Sequence, residues 1–555
     1  MLGLMQDRPL MVSSLLEHAA RYHGGVEIVS RSVEGPIHRT NYADVQRRAK
    51  RVANTLAALG IGASDRVGTL AWNTYRHLEL YYGVSGSGAV LHTVNPRLFP
   101  AQVQYIVTHA EDRILFFDAT FASLVEQLAP NLDTVEYFVA LTDREHMPDI
   151  QVRNLLCYED LIATQSDQYE WPSFDERTAS SLCYTSGTTG NPKGVLYSHR
   201  STVLHSLMEC APDTFGVSTA ESLLLAVPMF HANAWGMPYS APLVGAKLVL
   251  PGPRLDGDNM YELMRDERVT FSQAVPTVWL MFFQYLDAHP ELNVRDLKLR
   301  TVGVGGAALP RTMLERFERD YGITVVQGWG MTETSPIGVI ARPLPKHEHL
   351  SYEESVAVKL KQGRAVWGVE LKLVDVNGME AANDGRSPGH LHVRGPWIAS
   401  GYFRGEGGDV LDSQGWFPTG DIATIDADGY VQLVDRAKDV IKSGGEWISS
   451  IEIENAVMAH PAIAEAAIVG VAHPKWQERP LLIVVPRAGS KVSRDELLAF
   501  LAPQFASWWL PDDVVFVTDL PHTATGKILK ASLREQFRDH LLMTGLAETH
   551  QPEAA

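Results

Sequence analysis

The chain has 555 residues, a formal net charge of −18, 45% hydrophobic and 21% charged residues. This length is too great for one hydrophobic core, so two or more domains are expected, and the acidic balance argues against a general nucleic-acid surface. Its three cysteines have neither metal-ligand nor disulfide-framework spacing, which is typical of a reducing compartment. With no secretory signal and no run of about 18 apolar residues, we expect a cytoplasmic protein without a membrane-spanning helix.

Short helices and strands alternate along the first part of the chain. Apolar spacing predicts helices at 10–22, 42–59 and 75–85 and strands at 66–71, 88–93, 114–117 and 137–141. Strands that alternate with helices are typical of a parallel sheet with both faces covered, so the predicted fold class is α/β.

A glycine- and hydroxyl-rich stretch, YTSGTTGNPKG at 184–194, follows the apolar end of a predicted buried strand. Glycine lets the backbone approach a ligand closely, hydroxyls add hydrogen-bond donors, and Lys193 supplies a point charge. Such a loop suits polyphosphate oxygens. It is not a Walker A loop, because Gly194 follows Lys193 where that motif has Ser or Thr. The alternative is a polar surface turn, which the length and order of the stretch disfavour.

This stretch resembles the phosphate-loop signature of the adenylate-forming (AMP-binding) superfamily, which includes acyl-CoA synthetases, luciferases and peptide-synthetase adenylation domains. The resemblance implies that the loop binds ATP. The residues that it assigns to this role are Thr185, Ser186, Gly187, Thr188, Thr189 and Lys193.

A helix is predicted at 201–210, and an apolar run at 223–230 leads into FHANAWG at 230–236. A histidine and a tryptophan after a strand are consistent with a pocket wall, and a packed core histidine is an equal alternative. The resemblance implies an acyl pocket lined by His231, Ala232 and Trp235, with His231 near the acyl carboxylate and Trp235 along the tunnel. Neutral imidazole can donate one hydrogen bond without adding charge.

Small residues fill VGVGGAALP at 302–310. At a strand end they allow a flat ring to lie against the backbone, although tight strand–helix packing is the commoner explanation. The family resemblance places Gly303 and Gly305 in the acyl pocket and Gly305, Gly306 and Ala307 at the nucleotide.

The stretch VVQGWGMTE at 325–333 combines an aromatic ring, hydroxyls and a carboxylate. An aromatic ring can stack on a purine, and a carboxylate is a hard ligand for Mg²⁺. The alternative is an N-capped helix start at Thr332 or Thr334. The resemblance implies that Glu333 binds Mg²⁺ together with Thr185. The residues of this stretch that it implies bind ATP are Gln327, Gly328, Trp329, Gly330, Met331 and Thr332.

Asp421 follows a glycine turn in WFPTGD at 416–421, and its carboxylate can accept two ribose hydroxyls. A strand is predicted at 431–434, followed by the charged run DRAKD, which is usually a solvated face. By resemblance, Asp421 and Arg436 contact the ribose. Lys438 is the hinge residue and belongs to the nucleotide site.

The segment VIKSGGEWIS at 440–449 has two glycines that let an extended thiol arm pass, or that form a hairpin turn. The resemblance implies a coenzyme A channel at Gly444, Gly445, Glu446 and Trp447, adds Lys442 to the nucleotide site, and makes Lys527 the catalytic lysine. Periodicity predicts helices at 451–459 and 495–505 and strands at 466–471 and 481–485.

The resemblance extends from about residue 10 to 542 and implies a complete architecture. A large N-terminal domain of layered β-sheets and helices, 1–434, is joined by a hinge, 435–438, to a small, mobile α+β C-terminal domain, 439–555. The implied enzyme is an AMP-forming, ATP-dependent carboxylic acid:CoA ligase that uses Mg²⁺ and proceeds through an acyl-adenylate. Its implied catalytic residues are Lys527, Glu333, His231 and Thr185. Its partners are the acid, ATP and CoA, and the resemblance also implies a homodimer.

The acid itself is left open. The segments 181–205 and 435–449 resemble bacterial medium-chain fatty-acyl-CoA synthetases and, equally, 3-(methylthio)propionate ligases; another short or aryl acid is a further alternative. The CoA-type loop disfavours luciferase-like oxidation. The absence of an acidic residue in 231–235 disfavours an amino-acid adenylation module. A non-catalytic AMP sensor would be expected to lack Lys527 or Glu333, and both are present.

Overall fold

The structure is a computed structural model that describes residues 1, 3–185, 191–443, 446–522 and 528–544, with the backbone alone for 446 and 447. The strands are β1 (Glu27–Arg31), β2 (Ile37–Asn41), β3 (Arg66–Leu70), β4 (Val90–Thr93), β5 (Asp112–Phe117), β6 (Tyr137–Ala140), β7 (Leu155–Cys157), β8 (Ala179–Tyr184), β9 (Gly194–Ser198), β10 (Ser222–Leu224), β11 (Lys247–Leu250), β12 (Phe271–Ala274), β13 (Thr301–Val304), β14 (Thr324–Gly330), β15 (Ile337–Ile340), β16 (Arg364–Ala365), β17 (Glu370–Val374), β18 (Gly389–Arg394), β19 (Phe417–Ile425), β20 (Val431–Arg436), β21 (Ile441–Ser443), β22 (Glu446–Ile448), β23 (Ile463–His473), β24 (Gln477–Pro486) and β25 (Asp513–Phe516). The helices are α1 (Val12–Tyr22), α2 (Tyr42–Ala58), α3 (Tyr75–Ser87), α4 (Pro100–Ala110), α5 (Ala122–Leu128), α6 (Tyr158–Ala163), α7 (His199–Glu209), α8 (Ala232–Trp235), α9 (Met237–Val244), α10 (Gly257–Asp266), α11 (Pro276–Ala288), α12 (Arg311–Glu315), α13 (Tyr352–Lys359), α14 (Ser450–Met458), α15 (Arg494–Leu501), α16 (Lys530–Phe537) and α17 (His540–Thr544).

The first sheet has seven strands in the order β7-β6-β5-β3-β4-β8-β9. Six run parallel, and β9 turns back antiparallel to β8. Its central strands are buried along most of their length, as expected for a sheet covered on both faces. The residues between β8 and β9 therefore form a hairpin connection, and this connection is the predicted phosphate loop.

The second sheet has nine strands in the order β16-β15-β14-β13-β12-β10-β11-β1-β2, with a parallel centre and antiparallel edges. Helices α1, α2, α3, α7 and α9 contribute to one core between the layers, and α10 and α11 to another. The parallel, helix-covered sheets predicted from the alternation of elements are confirmed.

The rest of the chain forms two smaller sheets. Strands β17 to β20 make an antiparallel sheet, and β21 to β25 make the C-terminal one, where β25 pairs in parallel with β24. Two hydrophobic clusters consist only of residues from Ile441 onwards and contain side chains of α14, α15, α16 and α17. The predicted α/β fold with a large N-terminal and a smaller α+β C-terminal part is confirmed.

Two predicted elements end earlier in the structure, and local polar contacts explain the first of these differences. The apolar run 223–230 is not one strand: β10 ends at Leu224, and the buried amide of Asn73 donates to Leu225 O at 2.7 Å and Val227 O at 2.8 Å. These bonds take up carbonyls that a longer strand would offer to its neighbour. Helix α15 ends at Leu501 rather than at 505.

Candidate functional site

The neck of the predicted phosphate loop is closed by Thr185 and Lys193. The Thr185 N–H donates to Lys193 O at 2.9 Å, and the Lys193 N–H donates to Thr185 Oγ1 at 3.1 Å. These bonds extend the β8–β9 hairpin by one pair and place both predicted residues at one end of it. Ser186, Gly187, Thr188 and Thr189 lie outside the described residues.

The segment that carries Glu333 is a short 3-10 turn, Thr332–Thr334, held from two sides. Tyr197 on β9 donates its hydroxyl to Thr332 O at 2.6 Å, and the Ala399 N–H donates to Glu333 O at 2.8 Å. The alternative considered for this stretch, a helix start capped by Thr332 or Thr334, takes a different form here: the N-cap position is Met331, whose N–H donates to Thr334 Oγ1, and the 3-10 turn does not continue into a helix. Strand β9 thus ties the phosphate loop to the Glu333 turn.

Gly330 explains why the turn can form. A Cβ at this position would lie 1.7 Å from Pro336 O, so only glycine allows the two backbone segments to approach so closely.

The Glu333 carboxylate is 5% exposed, and burial raises its pKa. The Tyr402 hydroxyl donates to Glu333 Oε1 at 2.7 Å and partly offsets that rise, because it stabilises the charged form. The Lys193 ammonium lies 4.8 Å from the centroid of the same tyrosine ring. Tyr402 is a site residue that the sequence analysis missed; its one signal is an aromatic side chain within the glycine-rich stretch 401–408.

Asp421 is 2% exposed and contacts two other residues that were predicted to bind the nucleotide. The indole N–H of Trp329 donates to Asp421 Oδ2 at 2.9 Å, and Arg436 Nε lies 2.8 Å from Asp421 Oδ1. Asp421 lies inside β19 rather than after a turn, and Gly420 before it has φ +76° within the strand. The Trp329 ring packs over Gly338, where a Cβ would come within 2.5 Å of Trp329 Cζ3.

The residues after His231 are those of α8, which is a single left-handed turn rather than a regular right-handed helix. Ala232, Asn233, Ala234 and Trp235 have φ values of 43°, 53°, 50° and 53°. This turn lays the Trp235 indole against Gly305, where a Cβ would come within 3.2 Å of Trp235 Cη2. In this structure the small residue Gly305 is therefore in contact with the Trp235 side chain, and the role predicted for residues 302–310 in binding a ligand ring stays a prediction.

The other glycines and Gln327, which were predicted to line the acyl pocket or the nucleotide site, each have different neighbours. Gly303 lies within β13 against Gln273 and Phe215. The amide nitrogen of Gln327 lies 3.5 Å from Leu360 O. Gly306 has φ +78° and precedes an exposed Ala307. Gly328 packs against Ile340.

In the C-terminal part, Lys442 is exposed on β21, and its N–H donates to Glu478 Oε2 at 3.0 Å. Strands β21 and β22 form the hairpin that was one alternative for this segment, and Lys442 pairs with Trp447 in it. Lys438 follows β20, and Arg534 donates to its carbonyl oxygen at 2.5 Å. Gly444, Gly445, Lys527 and the side chains of Glu446 and Trp447 are outside the described part of the chain.

Glu333 can supply a carboxylate ligand for Mg²⁺ if the phosphates of a substrate supply further ligands. Within the described residues, no group of three or more histidine, cysteine or acidic side chains is arranged to hold a metal. Mg²⁺ is commonly held by one or two carboxylates together with substrate phosphates rather than by an all-protein cage. The single buried carboxylate of Glu333, near Lys193 of the predicted phosphate loop, fits that mode.

The profile of the AMP-binding enzyme family matches residues 15–403, and that of the family's C-terminal domain matches residues 452–527. The chain belongs to the AMP-binding enzyme family. The predicted class, an acyl-CoA synthetase, is confirmed together with the family. ATP and CoA are substrates of such ligases.

Two curated relatives match along nearly their whole length. A 3-methylmercaptopropionyl-CoA ligase of Ruegeria pomeroyi is 51% identical, over 98% of this chain and 100% of its own. A medium-chain-fatty-acid–CoA ligase of Ectopseudomonas oleovorans is 48% identical, over 98% of both chains. The crystal structure of an anthranilate CoA ligase in complex with anthranoyl-AMP has a TM-score of 0.85 at 25% identity, over 97% of this chain and 100% of its own. No helix in the described part of this chain is long and apolar enough to span a membrane.

Proposed function

We propose that this AMP-binding family ligase activates a medium-chain fatty acid with ATP and transfers the acyl group to CoA through an acyl-adenylate. The observation that carries the proposal is the contact among Trp329, Asp421 and Arg436 beside the Glu333 turn. The charges of Asp421 and Arg436 both act on the pKa of Glu333, so the carboxylate that we assign to the ribose and the carboxylate that we assign to the metal and phosphates are neighbours. That adjacency suits a nucleotide whose ribose lies at Asp421 and whose phosphates lie towards Lys193.

In the first step the acid's carboxylate attacks the α-phosphorus of ATP, and pyrophosphate leaves. Two anions must approach each other, so positioned positive charge is the main catalytic requirement. We assign Lys527 to the carboxylate and α-phosphate, and Lys193 to the departing pyrophosphate. When bound, Mg²⁺ held by Glu333 and Thr185 neutralises phosphate charge. His231 orients the acid's carboxylate.

In the second step the CoA thiol attacks the acyl-adenylate, and AMP leaves. We propose that the C-terminal domain, 439–555, rotates about the hinge 435–438 near Lys438, withdraws Lys527 and brings Gly444, Gly445, Glu446 and Trp447 to the acyl group. The separate hydrophobic clusters from Ile441 onwards support a division at this point. The mobility of this domain, the homodimer and the cytoplasmic location stay predictions.

A short sulfur-bearing acid, 3-(methylthio)propionate, is the second candidate substrate. The Trp235 indole lies so close to Gly305 that a Cβ there would come within 3.2 Å of Trp235 Cη2, and an indole at this place in the proposed acyl pocket favours a small acid. The 51% identical relative bears the corresponding name.

The test is acid-dependent AMP release from ATP, with and without CoA. The acid panel runs from propionate and 3-(methylthio)propionate through octanoate to palmitate. We expect release that requires CoA and peaks at middle chain lengths; a peak at the sulfur-bearing acid would select the second candidate. No release with any acid would reject the ligase proposal.

Lys527→Ala separates the two steps. Since Lys527 is assigned to the first step, this variant should lose AMP release by at least 100-fold, as expected for loss of an oxyanion-type contact. It should still transfer an acyl group from a supplied acyl-adenylate to CoA. Lys491→Ala, which removes an exposed lysine from the same part of the chain, is the matched control and should resemble the wild type.

A further inference from the structure

Tyr402 contacts two oppositely charged groups at once. Its hydroxyl donates to Glu333 Oε1 at 2.7 Å, and its ring lies under the Lys193 ammonium at 4.8 Å from the centroid. Among the described residues, neither Lys193 nor Glu333 belongs to an ion pair. Tyr402 therefore contacts a carboxylate through its hydroxyl and an ammonium through its ring.

The tyrosine is held firmly enough to act as a spacer. Its ring packs edge-on against Phe417 of β19 at 6.2 Å. The next residue, Phe403, lies against Gly194, where a Cβ would be 3.0 Å from Phe403 Cβ. Arg404 then forms an ion pair with Glu111 at 2.5 Å, which anchors the segment to the end of α4.

The same segment reaches the ammonium from a second side. A Cβ at Gly407 would lie 3.0 Å from Lys193 Nζ, and Gly407 has φ +83°, so a glycine suits this position on both counts. Tyr402 and Gly407 therefore approach the Lys193 head group from two sides, and no carboxylate in the described part of the chain forms an ion pair with it.

We propose that Tyr402 is a positioning residue that holds the Glu333 carboxylate and the Lys193 ammonium apart, so that both remain available to the phosphates of a bound nucleotide. The inference rests on the proposed ATP-dependent function. Its physical reason is that opposite charges attract strongly in a partly buried site, and a direct Lys193–Glu333 pair would neutralise both groups. A neutral hydroxyl donor joined to an aromatic face is suited to satisfying a carboxylate and an ammonium separately.

Two variants separate the two contacts. Tyr402→Phe keeps the ring under Lys193 and removes the hydroxyl; Tyr402→Leu removes both. ATP binding by the full-length enzyme is measured by calorimetry with EDTA and with Mg²⁺, next to the KM values for acid and ATP and the unfolding temperature. For Tyr402→Phe we expect metal-free ATP binding within twofold of wild type and at least a fivefold loss of the affinity gained with Mg²⁺.

Tyr402→Leu should also lose metal-free ATP binding by at least fivefold, because Lys193 can then pair with Glu333. The double variant Tyr402→Leu/Glu333→Gln should restore metal-free binding, since no carboxylate remains to take up Lys193. Tyr285→Phe removes another tyrosine hydroxyl that donates to a carboxylate, that of Asp258, and serves as the matched control.

The outcomes distinguish this inference from the proposed function. If wild-type enzyme neither binds ATP nor releases AMP, the proposed function fails. If wild type does both but Tyr402→Phe keeps the full Mg²⁺ gain, or the double variant binds ATP no better than Tyr402→Leu, the spacer role is rejected. Equal shifts in the KM values of acid and ATP with a lowered unfolding temperature would also reject it, because they indicate a structural role alone.

Discussion

His205 is a buried neutral base that joins helix α7 to strand β15. Its Nε2 accepts the Ile337 N–H at 3.2 Å, and burial lowers the pKa of the ring to about 3. The unfolded chain takes up a proton near pH 6.5, whereas the folded chain does not until far lower pH. The stabilisation is therefore complete above pH 6.5 and is lost as pH falls towards 3.

This linkage predicts the pH dependence of a His205→Gln variant. The wild type should lose about 2 kcal/mol of its free energy of unfolding between pH 7 and pH 5 through this one group, at about 1.4 kcal/mol for each pH unit below 6.5. The variant should lose about 2 kcal/mol less over the same interval, measured by urea unfolding at both pH values. An exposed histidine supplies the control, His18→Gln, and an unchanged dependence in His205→Gln would contradict the prediction.

At the scale of elements, the left-handed turn Ala232–Trp235 is an arrangement that its surroundings must enforce. Left-handed backbone costs roughly 1–2 kcal/mol for each residue other than glycine. The buried amide of Asn233 offsets part of this cost: its nitrogen donates to Ser181 Oγ at 2.9 Å, and its oxygen accepts from Cys183 Sγ at 3.3 Å and Tyr81 Oη at 3.4 Å. Asn233 thereby ties the turn that carries Trp235 to β8, the strand that leads into the phosphate loop.

Two variants of Asn233 distinguish the contribution of its side-chain hydrogen bonds to stability from the cost of its positive φ. Asn233→Ala and Asn233→Gly both lose the amide, but only glycine adopts positive φ without cost, so the glycine variant should be about 1 kcal/mol more stable. Both should raise the KM for the acid more than that for ATP. The measurements are urea unfolding and the two KM values.

Asn54 offers the matched control for that comparison. It lies in the right-handed helix α2, where alanine should be more stable than glycine by about 1 kcal/mol. The same order of stability at positions 54 and 233 would show that the left-handed conformation does not govern Asn233.

At the scale of the whole molecule, a buried polar network crosses the proposed hinge. Asp435 on β20 accepts the N–H of Ser450 at 2.8 Å and its hydroxyl at 2.6 Å. Lys530 donates to the same serine hydroxyl and pairs with Glu454 at 2.7 Å, while the charges of Glu454 and Asp435 keep its pKa raised despite burial. The proposed rotation about Lys438 would separate Asp435 from Ser450, so we expect the network to favour the domain arrangement in which these two residues are in contact.

Ser450→Ala should therefore change the balance of the two half-reactions. We expect adenylation and thioester formation, measured separately, to move in opposite directions, with their ratio changed at least fivefold. Ser493→Ala removes a serine that caps helix α15 within the C-terminal part, so it should lower stability without altering that ratio. A parallel fall of both half-reactions in Ser450→Ala would indicate a purely structural role.

Local sequence was sufficient for the element types and for the family. Helix α2, strand β3 and the covered parallel sheets follow from spacing and apolar runs that act over a few residues. The phosphate loop and Glu333 were recognisable because their motifs are contiguous in the chain. Chemistry that depends on residues close together in the chain can therefore be predicted from the sequence alone.

Tertiary structure alone decided which distant groups meet. The Trp329–Asp421 and Glu333–Tyr402 contacts join residues that are 92 and 69 positions apart, so no local pattern encodes them. The left-handed turn is likewise unfavourable by local preference and exists because buried partners such as Ser181 and Tyr81 hold it. The motifs identify the charged residues, and the packing between strands and loops determines which of them become neighbours.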